Sequence, residues 1–255
     1  MQPIKTGTII TEGKDGITNN INVVRRNEFG QFHYVDILVK LAEYYGFDGW
    51  FINIESPLPD SLVPELLNFV KCLKLKIHER IPHGKVIWYD SLTIDGEIKW
   101  QNRLNQLNLP FFNVADGIFI NYFWSVMHPR ESAILAKERA RKVYTGIDIW
   151  GRNTYGGGGY DTYKALQVIA DAGTSCALFA PAWTYESKDK SEFEENEIKF
   201  WITKKNAKIW EVYPDTWNLL RYQSHQFFIQ IFAKGMAGMD IGLMGLSLNM
   251  GNGQT

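Results

Sequence analysis

Short runs of large apolar residues alternate along this chain with longer segments in which apolar residues recur every three to four positions. The short runs cover 6–10, 49–55, 85–90, 117–123, 143–149 and 176–181. They are close to continuously apolar, as strands of a parallel sheet are when helices cover both faces. Between them, 32–45, 62–78, 130–141, 160–172 and 193–206 carry the helical period. Leu38, Leu41, Ala42 and Tyr45 fall at i, i+3, i+4 and i+7, which gives the first of these helices one apolar stripe. Pro64 sits where a first helical turn tolerates it. Strand and helix in alternation predict an α/β fold with a parallel sheet.

The second run has the most to say about chemistry. Side chains on a strand alternate faces, so Trp50, Ile52 and Ile54 point one way and Phe51, Asn53 and Glu55 the other. The first set is uniformly large and apolar, as a helix-covered face requires. The second set ends on an amide and a carboxyl, just before the Ser56-Pro57 break. Catalytic groups collect at the C-terminal ends of the strands in parallel α/β barrels. Desolvating an unpaired carboxyl is costly, so a buried strand has to have a use for one. The residues alone leave two readings open: a catalytic pair, or a structural Asn–Glu pair that caps the following loop.

YGFDGWFINIE (45–55) resembles the active-site strand of glycoside hydrolase family 85, the endo-β-N-acetylglucosaminidases. Its spacing is similar to the DGxDxDxE strand of family 18 chitinases, with Asn53 in place of their last Asp. Further similar blocks follow in the family's order: GTIITE (7–12), WYDSL (88–92), Trp100, DGIFINYFW (116–124), GIDIWGR (146–152) and ALFAPAWTYE (177–186). The resemblance implies a TIM (β/α)8-type barrel. In chitinase-like barrels the acid-bearing strand is the fourth, and here a single strand precedes it. The six runs therefore correspond to strands three to eight, with the first two missing. Residues 1–215 are expected to form this barrel portion, and 216–255, rich in Gly and Met without a clean period, a divergent tail.

The resemblance also implies roles. Glu55 becomes the general acid and base, and Asn53 the group that orients the sugar's 2-acetamido substituent. Tyr89 lies near both. Trp100, Phe123 and Trp124 fall where the family carries aromatics around the sugar. Asn121, by strand parity with Phe123, is a polar candidate, and Asp148, Trp150 and Trp183 are candidates at the barrel mouth. Read as single residues, the aromatics suit a core equally well, and Asp148 suits a salt bridge with a neighbouring arginine. Most glycosidases use two carboxyls, whereas this strand offers Glu55 alone. A substrate-assisted reaction needs one protein acid, because the acetamido oxygen attacks the anomeric carbon and forms an oxazoline. Two rivals stay open: a two-carboxylate glycosidase pairing Glu55 with Asp90 or Asp148, and an inactive glycan-binding fragment.

Composition narrows the remaining classes. A net charge of −1, from 27 basic and 28 acidic residues, leaves no electrostatic footprint for nucleic acid or an anionic membrane. The five histidines show no HExxH spacing and pair with no cysteine, so no metal is expected. No GxSxG elbow, phosphate loop or dinucleotide fingerprint appears, and no cofactor is implied. Cys72 and Cys176 form no CxxC, which a reducing compartment permits and which leaves a single disulfide open. With no signal-like N-terminus and no run long enough to span a bilayer, the expected location is the cytosol. The resemblance makes N-glycans, glycopeptides and free oligosaccharides the expected partners.

Overall fold

The computed structural model describes residues 5–202 and the pair Gly242–Leu243. Six parallel strands form one sheet: β1 (Gly7–Thr11), β2 (Gly49–Ile54), β3 (Lys85–Tyr89), β4 (Gly117–Ile120), β5 (Val143–Asp148) and β6 (Ser175–Phe179). Each pairs with the next in chain order, from β1 to β6. A two-residue strand, β7 (Gly242–Leu243), lies antiparallel against the outer side of β1. The expected tail, 216–255, otherwise lies outside the described residues.

Helices cover the outer face. α2 (His33–Tyr45) buries Val35, Leu38, Val39 and Ala42 along one stripe and stops at Gly46, whose φ of 70° suits glycine. α3 (Val63–Arg80) has a proline in its first turn and buries Leu66, Phe69, Val70, Leu73 and Ile77. Trp50, Ile52 and Ile54 pack beneath these two helices, and the Trp50 indole N–H donates to the Leu38 carbonyl at 3.1 Å. Farther along, Trp88 of β3 stacks on Phe111 of α4 (Leu109–Val114) with centroids 4.1 Å apart. A second outer cluster joins Ile147 and Ile149 to Leu166 and Ile169 of α6 (Thr162–Ala172), and to Phe200 of α8 (Phe193–Ile202).

The inner face is filled differently. Phe51, Tyr89 and Phe119 form their own cluster with Ile87 and Ala177, and the three rings meet at 5.4 to 5.8 Å. The alternation read along β2 is therefore realised: Trp50, Ile52 and Ile54 outward, Phe51 and Asn53 inward.

Three boundaries depart from expectation. β4 ends at Ile120 rather than at 123, which releases Asn121, Tyr122 and Phe123 from strand parity. α5 (His128–Ala136) stops where Lys137 adopts a φ of 53°. The following KERARK stretch is a 3-10 turn with no buried residue, so no apolar stripe holds it in an α-helix. α1 (Gly16–Val23) was not anticipated, because GITNNINV is short and polar; its buried Asn20 does the anchoring that apolar residues do elsewhere.

Gly49 opens β2 with a φ of 135°, and a Cβ there would lie 1.9 Å from the Lys85 carbonyl oxygen. Gly49→Ala should therefore destabilise the chain by about 2 kcal/mol or more, through backbone strain and a displaced β2–β3 pairing. Urea unfolding of the two proteins checks this; an unchanged midpoint would show that the strand entry yields at no cost.

Candidate active site

The end of β2 is clamped from both sides. The Glu55 backbone N–H donates to the Thr11 carbonyl at 2.7 Å, and the Ser91 hydroxyl donates to the Ile54 carbonyl. Asn20 of α1 accepts from the Thr11 hydroxyl and donates its amide to the carbonyls of Ser56 at 2.6 Å and Pro57 at 3.1 Å. A Cβ on Gly16 would sit 1.8 Å from the Ser56 hydroxyl, so glycine is what lets α1 come this close. The Ser56-Pro57 turn thus ends β2 with Glu55 at the rim of the inner face.

Asn53 is 2 % exposed. Its amide N–H donates to Glu55 Oε1 at 3.1 Å, and its Oδ1 is buried without a hydrogen-bond partner. An orphaned buried acceptor costs roughly 1–3 kcal/mol, and this one lies beside a half-buried carboxyl.

Tyr89 stands on the neighbouring strand and faces the same way. Burial drives its phenol well above the ordinary tyrosine range, the carboxylates of Glu55 and Asp90 add to that, and the Trp100 indole N–H works against it. The hydroxyl donates to Asn121 Oδ1 at 3.0 Å, and Asn121 Nδ2 donates to Asn102 Oδ1 at 2.8 Å. Asn121, just past the end of β4, is thereby held in contact with Tyr89.

Asp90 follows Tyr89 and is 1 % exposed. Its Oδ1 accepts from the Gln101 N–H at 3.2 Å and from Asn108 Nδ2 at 2.9 Å; its Oδ2 accepts from the Asn102 N–H at 2.8 Å. Burial pushes its carboxyl up to about 6 despite these donors. Asp148, fully buried at the end of β5, accepts from Arg152 Nε at 2.7 Å and Nη2 at 3.1 Å, and from the backbone N–H groups of Trp150 and Arg152. Both oxygens of each aspartate are thus engaged. The ion-pair alternative for Asp148 is the arrangement found.

The aromatic candidates separate. Trp100 is 43 % exposed, on the loop that Asp90 holds. Trp124 is buried, donates its indole N–H to the Gly146 carbonyl at 2.7 Å and stacks on Tyr155, so it serves as packing rather than as an open platform. Phe123 is 61 % exposed beyond the end of β4. Trp150 is partly exposed, with its backbone N–H bound to Asp148. Trp183, in α7 (Trp183–Glu186), packs against Tyr160 and Phe200 with the Lys188 ammonium 4.6 Å from its ring centre, which places it in the outer cluster.

Sequence reading passed over Tyr122 and Phe179, and gave an arginine near Asp148 only as a salt-bridge partner. Tyr122 stacks on Phe179 at 5.8 Å, and the Arg152 guanidinium lies 5.6 Å from the Phe179 ring centre. Burial raises the Tyr122 phenol, as do the nearby charges of Asp148 and Glu55, while Arg152 lowers it. Tyr122 would have faced outward had β4 continued; the early end of the strand is what sends it to the mouth. Asn20 and Asn102 were also missed, since no periodicity marks a loop or helix asparagine that binds backbone. Among the described residues no group of His, Cys, Asp and Glu could hold a metal ion, and no helix is long and apolar enough to cross a membrane. Both cysteines are free thiols.

The Asp90 carboxyl gives a pH prediction. Its folded value, about 6, lies above the ordinary aspartate value of 3.8, so the folded chain binds this proton first as the pH falls. The contribution is complete below the ordinary value and is lost as the pH rises through 6. Between about pH 7 and about pH 5 the wild type should gain roughly 1 kcal/mol relative to Asp90→Asn. Urea titrations of both proteins at the two pH values measure it, and a difference that does not change with pH would contradict the assignment.

Comparison with known proteins bears on this geometry. The family model of glycosyl hydrolase family 85 matches residues 5–239. The chain is 42% identical over 209 residues to cytosolic endo-beta-N-acetylglucosaminidase 1 of Arabidopsis thaliana, covering 82% of this chain and 31% of that protein. It is 40% identical over 195 residues to the cytosolic endo-beta-N-acetylglucosaminidase of Homo sapiens, covering 76% and 26%. The glycoside hydrolase domain of Endo-D from Streptococcus pneumoniae R6 shares the fold with a TM-score of 0.63 at 24% identity, over 74% of this chain and 32% of that one. The chain thus spans less than a third of the length of these relatives.

Proposed function

The chain belongs to glycosyl hydrolase family 85, and from that premise we propose that it carries the catalytic strand of an endo-β-N-acetylglucosaminidase. The bond cleaved is the β-1,4 linkage of the N,N′-diacetylchitobiose core of N-glycans, with retention of configuration. The substrates are N-glycans on glycopeptides and free oligosaccharides. The names of the relatives support a cytosolic setting.

The observation that carries this reading is the Asn53–Glu55 pair, with one carboxyl in reach and an unpartnered Asn53 Oδ1 beside it. In the first step Glu55 gives its proton to the glycosidic oxygen, and the C1–O bond breaks. The 2-acetamido carbonyl oxygen bonds to C1 in its place, and the acetamide N–H, made acidic as the oxazolinium forms, is accepted by Asn53 Oδ1. In the second step the Glu55 carboxylate takes a proton from water, whose oxygen attacks C1 and reopens the ring. Two inversions give net retention. With Asp90 and Asp148 committed to Asn108, Arg152 and backbone donors, a nucleophile drawn from the substrate removes the need for a second protein carboxyl.

Two variants test the assignment on one preparation. Glu55→Gln keeps the shape but has no proton to give, and should lose about 10²–10⁴-fold in glycopeptide hydrolysis while still binding. Asn53→Ala should fail on glycopeptide yet still join a preformed oxazoline donor to a GlcNAc acceptor, since that donor has already passed the step that needs the acetamide held. Equal loss of both reactions in Asn53→Ala would make Asn53 a structural amide and remove the substrate-assisted route.

We further propose that β1 to β6 are strands three to eight of an eight-stranded barrel, supported by the open order of the sheet, in which β1 and β6 do not pair. The edge of β6, and that of β1 beyond its two-residue pairing with β7, favour association. Light scattering on the 255-residue chain should show oligomers, and a cooperative monomer would count against this numbering.

A further inference from the structure

The hydrogen bonds around Tyr89 have a direction, and it can be read from groups whose roles are fixed. The Trp100 carbonyl is an acceptor only, and Asn102 Nδ2 lies 3.3 Å from it. That contact turns Asn102 Oδ1 toward Asn121, whose Nδ2 donates to it at 2.8 Å. The Asn121 amide is thereby oriented with Oδ1 toward Tyr89, 3.0 Å away, so the phenol must donate. The Trp100 indole N–H, which acts on the same phenol in the sense of a donor, agrees, since an indole cannot accept. Asn102 is itself held, with its backbone at a φ of 57° and its N–H on buried Asp90.

We propose that Asn102 is a positioning residue that fixes the polarity of Tyr89, so that the phenol turns a lone pair rather than its hydrogen toward the site. Resting on the function proposed above, this has a chemical consequence for Glu55. A phenol that donated to Glu55 would favour its carboxylate and hold back the proton that the first step requires. A phenol whose hydrogen is committed to Asn121 cannot do so; its oxygen is open to an O–H from protonated Glu55 or to the acetamide N–H. Without the Asn102 acceptor, Asn121 is free to turn over, and Tyr89 then accepts from Nδ2 and donates into the site. The groups facing Tyr89 are Glu55 at the end of β2, Asp90 on its own strand, Tyr122 after β4 and Trp100 on the loop. Tyr122 in turn is near Asp148 and Arg152.

Asn102→Gly is the informative variant, because glycine keeps the left-handed backbone and the N–H to Asp90 while removing the side-chain acceptor. It should be compared with wild type, with Tyr89→Phe and with the double variant, by two readouts. In protein labelled at tyrosine Cζ, the Tyr89 resonance, identified by its loss in Tyr89→Phe, should move in Asn102→Gly. In the pH profile of kcat/KM for glycopeptide, the alkaline limb should shift to lower pH by about half a unit or more in Asn102→Gly. The same change should produce no shift in the Tyr89→Phe background. An unmoved resonance, or an equal shift with and without the phenol, overturns the proposal, and a lowered unfolding midpoint with an unmoved resonance makes Asn102 a loop residue only. A wild type that releases no glycan fails the proposed function instead, and the resonance then decides the polarity of Tyr89 by itself.

Discussion

A carboxyl buried to 1 % exposure at the end of a parallel strand must be met by donors, and Asp90 is met almost entirely by a loop. The backbone N–H groups of Gln101 and Asn102 and the Asn108 amide converge on its two oxygens. No regular ladder holds residues 99–108; these bonds act together with those from the Lys99 N–H to the Ser91 carbonyl, from the Ile94 N–H to the Leu107 carbonyl and from the Leu104 N–H to the Ser132 hydroxyl. The loop carries Trp100 and brings Asn102 into contact with Asn121. The position of an exposed aromatic and the orientation of a buried phenol are thus both tied to the loop that meets this charge.

The three strand ends that carry carboxyls treat them differently, and the contrast is informative. Asp148 is closed off by Arg152 and two backbone N–H groups. Asp90 is closed off by its loop. Glu55 stays half-buried beside the Asn53 amide, whose own oxygen is orphaned. The donors around Asp148 and Asp90 fix their loops, even though burial raises the Asp90 carboxyl to about 6, whereas the proposed function asks Glu55 to pass a proton in both directions.

How far the sequence revealed this depends on whether a residue's role follows from periodicity. Along Gly49–Ile54 every side chain obeys the strand alternation, so the facing of Phe51 and Asn53 was legible from the pattern alone. Tyr89 came from the family resemblance, not from alternation, and the structure sets it on the inner face. Alternation failed beyond Ile120, where the strand ends early and Tyr122 reaches the mouth against parity. It was silent for Asn20, whose amide binds the distant Ser56 and Pro57 carbonyls, and for Asn102, which accepts from the Asn121 side chain. Aromatic identity was a poor guide in itself. Trp124 and Trp183 are consumed by packing, and nothing in their local sequence separates them from Trp100, which is half out in solvent because of a carboxylate ten residues earlier.

Those misses share a physical cause. Strand alternation is a property of backbone geometry and can be computed from spacing, but the direction of an amide is set by a chain of partners, each fixed by the next. Around Tyr89 that chain terminates on the Trp100 carbonyl, which cannot reverse its role. Around Asn53 no such terminus exists, because Oδ1 has no partner and Nδ2 faces the Glu55 carboxyl. With the polarity proposed above, the inner face holds a phenol of fixed direction beside an amide with an open acceptor. In the proposed reaction the N–H of a 2-acetamido sugar is the donor that Asn53 Oδ1 accepts.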